Sequence, residues 1–310
     1  MYFLGVDGGQ SSTTAVIGDE AGRILGRGEA GPCNHVESEA GRAKLAAAVS
    51  ASVAGAARAA GLADPVEFAA ACFGMSGGPA DKRDLIASLV RARQLEVTDD
   101  ARIALWGATA GGPGIIVIAG TGSIAFGRDA RGRVARAGGW GYVFGDEGSG
   151  FDIVRHALRV ALRQEEGWGP PTALGHRLLE ATGARTANEM LHLFYTRDFP
   201  RDRVAAFAPL VDGAAAAGDA VAEEILRGAA HSLAELVWSV QARLFAPGEA
   251  VYIAPIGGVF QSPIVARSFR DLVEREPGST VGPPKHDPAC GALLAAYAQA
   301  GLTVALTPGP

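Results

Sequence analysis

The chain has 310 residues, of which 48% are hydrophobic and 20% are charged, and this balance excludes a largely disordered protein. Its formal net charge of −5 disfavours proteins that bind nucleic acid or anionic lipid through a basic surface. At roughly 150 residues per domain, the length predicts two domains.

The cysteines and the N-terminal segment indicate the cellular compartment. Cys33, Cys72 and Cys290 are odd in number and form no CxxC pair, which disfavours a disulfide framework, a zinc ribbon and an iron–sulfur site. The N-terminal segment has no basic region before its apolar residues, so it does not read as a signal peptide. The longest apolar runs, such as 115–119, are far shorter than the ~18 residues of a membrane helix. We therefore expect a cytoplasmic protein with no membrane partner.

The first third of the chain reads as three strands followed by alternating helices and strands. Apolar runs between turn signals predict the strands, and apolar residues spaced three or four apart predict the helices. The predicted strands are 2–6, 13–17, 23–28, 66–73 and 95–97. The predicted helices are 37–60, one that carries Leu85, Leu89 and Ala92, and one from Asp99 to about Ala108.

The segment from Gly120 repeats the segment from Gln10, 110 positions earlier. Each has a hydroxyl-rich turn, a strand, and an Asp-x-x-Gly-Arg turn (19–23 and 129–133) that leads into another strand. A supersecondary unit repeated at this distance predicts two domains of like topology.

Beyond Asp152 the sequence is mostly helical. An apolar stripe between Val221 and Val240 predicts one long helix, and 251–256 predicts a strand that ends at Gly257. Asp287 supplies an N-cap for a last helix, 289–300, and we expect the tail 307–310 to be frayed.

Glycine is over-represented: its 43 residues are about 14% of the 310, against a usual fraction of about 7%. Several glycine clusters directly follow apolar strands. Two such turns, one in each predicted domain, combine backbone N–H groups with Ser or Thr hydroxyls, as in a site that clasps a phosphate chain between domains. Asp7 ends the first strand, where a carboxylate can hold a hydrated Mg²⁺. A GxxxxGK[ST] loop, a GxGxxG helix start and a protein-kinase catalytic loop are all absent from the sequence.

Four motifs occur in an order that resembles the sugar-kinase branch of the actin/hexokinase superfamily: VDGGQSST, IAGTGS, GGWGYVFGDEGSG and IGGVFQS. The sequence is most similar to the N-acetylglucosamine kinase group of the BadF/BadG/BcrA/BcrD-type ATPases, from Leu4 to about Ala300. The resemblance implies an α/β fold of two ribonuclease-H-like domains with a nucleotide cleft between them. We expect an N-terminal domain 1–112, a C-terminal domain 113–288, and a last helical segment 289–310 that packs back on the N-terminal domain.

The same resemblance implies an ATP site with Mg²⁺. Asp7 matches the family's metal-organising acid. The positions implied to contact ATP are Gly8, Gly9, Ser11, Ser12, Thr121, Gly122, Gly218, Gly257, Gly258 and Ser262. Two of the positions in the first turn depart from the family pattern: Gln10 replaces a glycine, and Ser12 stands where Lys or Arg is common.

Asp100 resembles the family's catalytic base, a carboxylate that accepts the proton of the attacking sugar hydroxyl. Its neighbour Asp99 is the competing candidate, and either aspartate also suits the start of a helix, where the dipole favours negative charge. The positions implied to bind the sugar are Asn34, Asp100, Ser123, Ile124, Gly139, Trp140, Gly141 and Asp146. We interpret Glu147 as structural.

The implied function is an ATP-dependent amino-sugar kinase that phosphorylates N-acetylglucosamine at its 6-hydroxyl and works as a homodimer. Glucosamine and N-acetylmuramic acid are alternative substrates within the same resemblance. An ATPase activator that carries an iron–sulfur cluster at a dimer interface is a further alternative, which the scattered cysteines disfavour. A sugar-sensing regulator is a third class, and the net negative charge disfavours a DNA-binding version of it.

Overall fold

The computed structural model describes residues 1–33, 38–63, 65–78, 80–196 and 199–309. The chain forms two compact units: unit 1 is Met1–Gly112 with Pro284–Pro310, and unit 2 is Pro113–Pro283. The second boundary therefore lies after Pro283 rather than after the predicted residue 288.

The elements alternate between strand and helix in unit 1 and become mainly helical in the middle of unit 2. In chain order the strands are β1 (Tyr2–Gly8), β2 (Thr13–Asp19), β3 (Ile24–Ala30), β4 (Glu67–Met75), β5 (Arg91–Asp99), β6 (Gly114–Ala119), β7 (Ser123–Arg128), β8 (Val134–Gly138), β9 (Val251–Ile256) and β10 (Ser279–Val281). The helices are α1 (Glu39–Ala59), α2 (Arg83–Leu89), α3 (Asp100–Ala108), α4 (Gly150–Glu165), α5 (Leu174–Thr182), α6 (Ala187–Phe194), α7 (Arg201–Ala205), α8 (Ala208–Ala216), α9 (Ala220–Leu244), α10 (Pro263–Val273) and α11 (Pro288–Gln299).

Each unit is built on a five-stranded sheet of the same topology. The strand order is β3-β2-β1-β4-β5 in unit 1 and β8-β7-β6-β9-β10 in unit 2. In each sheet the first three strands in chain order pair antiparallel with one another. The fourth strand pairs parallel with the central strand, and the fifth pairs parallel with the fourth. This is the ribonuclease-H-like topology that the sequence predicts, repeated once.

The core of unit 1 has two layers because alternate residues of a strand point to opposite faces of the sheet. Leu4 and Val6 of β1 pack with Leu45 of α1 on one face. Phe3 packs with Tyr297 of α11 on the other face. Glycine is required at position 5, where β1 packs against the backbone of α11, since a Cβ there would lie 2.2 Å from the backbone N of Leu293.

The core of unit 2 lies largely between its sheet and α9. The helix buries Leu233, Val237 and Val240 against Ile115 and Val117 of β6. The predicted apolar stripe is therefore the face of α9 that packs on the sheet, although Val221 and Ile225 are only half-buried.

The repeated turns have the same hydrogen bonds in both units. In unit 1, one oxygen of Asp19 accepts from the backbone N–H groups of Ala21 and Arg23, and its other oxygen pairs with the Arg23 guanidinium at 2.7 Å. In unit 2, Asp129 does the same with 131 and 133, and its carboxylate lies 2.6 Å from the guanidinium of residue 133. The internal repeat is thus a repeat of structure.

Two predicted local features are wrong. Ala92 lies in β5 rather than in the preceding helix, because that helix ends at Leu89 and the strand begins at Arg91. The tail is not frayed at Thr307, whose N–H donates to the carbonyl of Gly22 at 3.0 Å and whose carbonyl accepts from Ile24 at 2.9 Å.

Within the described part of the chain, no helix has the length and apolar character needed to cross a membrane.

Candidate functional site

The turn between β1 and β2 closes through a hydrogen bond from the N–H of Gly9 to the carbonyl of Ser12, at 2.9 Å. Ser11 and Ser12 are exposed on this turn, so their hydroxyls are accessible. Gly8 is packed so tightly that a Cβ there would lie 2.7–2.8 Å from the side chains of Met75 and Cys33. The start of the turn is therefore closely packed at Gly8, while the hydroxyl groups of Ser11 and Ser12 face solvent.

Asp7 lies half-buried at the end of β1, directly before this turn. Burial, and then the negative charges of Asp100 and Asp287, raise its pKa to about 6. A carboxylate with a raised pKa beside other carboxylates is a place where a cation would relieve repulsion.

The two candidate bases at the start of α3 have different local roles. Asp99 is the N-cap, and its carboxylate accepts from the N–H of Arg102 at 2.8 Å. Asp100 is the first residue of the helix, and its Oδ2 accepts from the hydroxyl of Ser76 at 2.7 Å. Asp99 therefore caps the helix, and the carboxylate of Asp100 is held by its hydrogen bond with Ser76.

In unit 2, the turn between β6 and β7 borders a cavity of about 280 Å³. The cavity brings together three of the predicted ATP-contacting residues, Thr121, Gly258 and Ser262. Gly257 adjoins it with a φ of +109°, and a Cβ there would lie 2.3 Å from the carbonyl oxygen of Ala119. Gly218 follows α8 and is exposed, and it does not line this cavity.

Asp212, which no sequence motif marks, also lines this cavity. Its carboxylate accepts a hydrogen bond from the hydroxyl of Ser262, which caps α10. Burial raises the pKa of Asp212, and this hydrogen bond partly opposes the rise. An isolated carboxylate on the otherwise apolar α8 was the available sequence signal.

The loop after β8 folds back on the second turn through Asp146. This residue is 3% exposed and adopts a φ of +62°, and its Oδ1 accepts from the N–H of Ser123 at 3.1 Å. Its Oδ2 has no hydrogen bond to any described residue but lies 3.3 Å from the guanidinium of Arg201. The hydroxyl of Ser123 donates to the carbonyl of Glu147 at 2.6 Å, so Glu147 takes part in the loop through its backbone.

Gly139 lies at the opposite end of the same loop, where its N–H donates to the carbonyl of Ser123 at 2.9 Å. A Cβ at Gly139 would lie 2.8 Å from the side chain of Ile124. The structure thus brings together the predicted sugar-site residues Ser123, Ile124, Gly139 and Asp146.

Trp140 and its neighbours form an exposed aromatic segment in this loop. Trp140 is 65% exposed and Phe144 is 83% exposed, and both line a cleft of about 450 Å³. The guanidinium of Arg136 lies 4.8 Å from the ring centroid of Trp140. Gly141 follows with a φ of +77° and open space around it. Rings that are exposed in this way are available to a ligand rather than committed to the core.

The predicted sugar ligand Asn34 lies outside the described residues.

The sequence profile of the BadF/BadG/BcrA/BcrD ATPase family matches residues 4–296. The chain belongs to this family.

Two relatives that are similar in sequence are named as amino-sugar kinases. An N-acetylmuramic acid/N-acetylglucosamine kinase of Clostridium acetobutylicum is 34% identical over 75% of this chain and 78% of its own length. An N-acetyl-D-glucosamine kinase of Dictyostelium discoideum is 29% identical over 95% of this chain and 97% of its own length. The solved structure of a candidate N-acetylglucosamine kinase from Chromobacterium violaceum superposes with a TM-score of 0.69 at 29% identity, over 94% of this chain and 98% of that one.

The side chains that could hold a metal ion are few. Among the described residues, no group of three or more His, Cys, Asp or Glu side chains is arranged to hold a metal ion by itself. Protein sites for Mg²⁺ commonly supply only one or two carboxylates and leave the remaining positions to phosphates and water. Asp7, half-buried and close to the charge of Asp100, fits that kind of site.

Proposed function

We propose that this member of the BadF/BadG/BcrA/BcrD ATPase family transfers the γ-phosphoryl group of ATP to an amino sugar, with the 6-hydroxyl of N-acetylglucosamine as the acceptor. The observation that carries the proposal is the position of Asp100, whose carboxylate is held by Ser76 near Asp7 while Asp99 caps the helix. The names of the relatives, which include N-acetylglucosamine kinases from two organisms, support the substrate class.

In the proposed reaction the carboxylate of Asp100 accepts the proton of the sugar hydroxyl as that oxygen bonds to the γ-phosphorus and the bond to the ADP oxygen breaks. Asp7 is the residue that would hold Mg²⁺, which when bound supplies positive charge to the phosphates. The hydroxyls of Ser11 and Ser12, the N–H groups of Gly8 and Gly9, and Thr121 with Gly122 are proposed to contact the phosphates.

In unit 2 we propose that Gly257, Gly258 and Ser262 contact the nucleoside, with Asp212 as an additional polar group of that cavity. Trp140, Gly139, Gly141, Ser123, Ile124 and Asp146 are proposed to shape the sugar site. Asp146 is almost fully buried, so we propose that it acts mainly by holding Ser123 in place.

N-acetylmuramic acid is the second candidate substrate, because the relative from Clostridium acetobutylicum is named for both sugars. An activator with an iron–sulfur cluster is not favoured, since Cys33, Cys72 and Cys290 are all at most 4% exposed and so are not presented at a surface. Cytoplasmic location and a homodimer remain predictions from the sequence.

The test is ADP release with ATP and Mg²⁺ in the presence of glucose, glucosamine, N-acetylglucosamine or N-acetylmuramic acid. We expect the highest kcat/KM with N-acetylglucosamine and no release when Mg²⁺ is chelated. Equal ADP release with and without every sugar would contradict the kinase proposal.

A further inference from the structure

Ser76 connects two parts of unit 1 that the proposed function uses. It follows the last residue of β4, and its N–H donates to the carbonyl of Gly8 at 3.0 Å. Its hydroxyl donates to Oδ2 of Asp100 at 2.7 Å. A single residue is thus bonded through its backbone to the first glycine-rich turn and through its side chain to the proposed base.

The segment that carries Ser76 is fixed from both sides. Gly77 and Gly78 follow with φ values of +77° and +87°, a conformation that favours glycine. The N–H of Gly78 donates to the carbonyl of Met75 at 3.2 Å. The side chain of Lys82, only 3% exposed, donates from Nζ to the carbonyl of Gly78 at 2.8 Å. Ser76 therefore presents its hydroxyl from a well-held turn.

Asp100 needs such a partner because nothing else in the described structure is seen to orient its exposed carboxylate. Asp100 and Asp7 repel each other, so an unheld Asp100 side chain would favour rotamers that point away from Asp7. A hydrogen bond to a carboxylate is stronger than one between neutral groups and fixes its plane. A hydroxyl does this without adding a positive charge that would neutralise the base.

We propose that Ser76 is the positioning residue for Asp100: it holds Oδ2, so that Oδ1 is directed to the sugar hydroxyl. This inference rests on the proposed kinase function. Small errors in the placement of a general base are costly to rate, since a misplacement of about 1 Å can lower turnover by about 10².

The test compares variants of Ser76 that differ in the hydroxyl. Ser76→Thr keeps the hydroxyl, whereas Ser76→Val has nearly the shape of threonine and lacks it. We expect Ser76→Val and Ser76→Ala to lower kcat by about tenfold or more while the KM values for sugar and ATP change less than about twofold. Ser76→Thr should restore most of the wild-type kcat. Ser88→Ala is the matched control, because the hydroxyl of Ser88 donates to the carbonyl of Leu85 within α2, and it should leave kcat unchanged.

A double-mutant cycle separates positioning from a general structural effect. In the Asp100→Asn background, the further change Ser76→Ala should lower kcat by less than about twofold, because the group that Ser76 positions is already lost. Full additivity of the two changes would overturn the proposal. So would wild-type kcat in Ser76→Val, or equal loss of kcat in Ser76→Thr and Ser76→Val.

The wild-type arm tells the two proposals apart. Sugar-dependent ADP release by the wild type, together with unchanged kcat in the hydroxyl-free variants, overturns the role of Ser76 alone. A wild type with no sugar-dependent ADP release overturns the proposed function and the role of Ser76 with it.

Discussion

The turn after β1 and the turn after β6 occupy equivalent places in two sheets of the same strand order, yet their surroundings differ in charge. Asp7 pairs with Thr14 across the first hairpin, and the equivalent position in the second hairpin is Ile118, which pairs with Ile124. The first turn lies near the carboxylates of Asp7 and Asp100, whereas the second is bonded to a loop through backbone groups and Asp146.

This difference shows how one supersecondary unit can serve two tasks. The Asp-x-x-Gly-Arg turns and the sheet order are common to both units and maintain the scaffold. The units differ near the ends of their central strands, where β1 has Asp7 and β6 has Ile118. We infer that unit 1 supplies the acids for phosphoryl transfer and unit 2 supplies surfaces for recognition.

The sharpest test of that division is Asp100→Asn, which should lower turnover by at least about 10² because the proton acceptor is lost. The KM for the sugar should change much less, since the proposed sugar contacts remain. Steady-state kinetics on the purified variant measures both.

Asp99→Asn is the matched control for this variant. Asparagine also caps helices well, so the change should cost only ~0.3–1 kcal/mol of stability and little turnover. Loss of turnover in Asp99→Asn with normal turnover in Asp100→Asn would assign the base to the capping residue instead.

Asp7→Asn tests the cost of placing an acid where the second hairpin has isoleucine. Between pH ~4 and ~6 the folded chain keeps a proton that the unfolded chain has released, because the pKa of Asp7 is raised from 3.8 to about 6. The free energy of unfolding therefore falls as pH rises through this window, and the loss persists above it. We expect Asp7→Asn to raise that free energy by about 2–3 kcal/mol at pH 8 and to have little effect below pH 4.

The same variant should lose turnover, most strongly at limiting Mg²⁺. Urea unfolding at pH 8 and pH 3.5, with kinetics over a Mg²⁺ series, provides the measurements. Unchanged stability at pH 8 would show that the charge of Asp7 is not penalised, and normal turnover at low Mg²⁺ would remove it from the metal site.

Trp140→Ala tests recognition in unit 2. Because the ring is 65% exposed, its loss should leave the melting temperature nearly unchanged. We expect the KM for the sugar to rise about tenfold, equivalent to about 1.4 kcal/mol, with kcat little altered. Phe144→Ala, in the same loop, is the control and should have the smaller effect. A large fall in kcat with an unchanged KM would place Trp140 in the chemical step.

The smallest effects are expected from Asp19→Asn and Asp129→Asn, which test the common scaffold. Burial opposes ionisation of each carboxylate, but hydrogen bonds from the arginine and the backbone outweigh it and lower both pKa values. Each change should lower the apparent Tm at pH 7 by about 2–4 °C, and the difference from wild type should shrink as pH falls through these lowered pKa values. Clearly unequal losses at pH 7 would show that the two turns are not energetically equivalent.

The fold could be predicted to this depth because its signals are local and repeated. Strand periodicity, the Asp287 cap of α11 and the repeat at 110 positions are all visible in short windows of sequence. Ala92 was assigned to the wrong element because the boundary between α2 and β5 follows pairing with β4, a contact distant in sequence. Thr307 is ordered for the same reason, because it pairs with Arg23, a residue distant in sequence that directly precedes β3.

The candidate site was predictable where a motif marks it and not where packing decides. The second turn and its loop carry recognisable glycines, so Thr121, Ser123 and Asp146 could be singled out. Ser76 and Asp212 could not, because the feature that sets each apart is a hydrogen bond to a residue far along the chain, Asp100 for Ser76 and Ser262 for Asp212. Motif matching also selected Gly218, which is not one of the residues that line the cavity.

The return of the chain to unit 1 has a consequence for biosynthesis. Unit 2 is one continuous segment, whereas unit 1 is completed only when α11 covers the face of the sheet that carries Phe3, Val16 and Cys72. A ribosome therefore releases every residue of unit 2 before it releases the helix that closes the core of unit 1. Until then the first sheet has an uncovered apolar face, which is the kind of surface that recruits chaperones or aggregates. A released chain truncated after Pro283 should thus contain a protease-resistant second unit and a protease-sensitive first one.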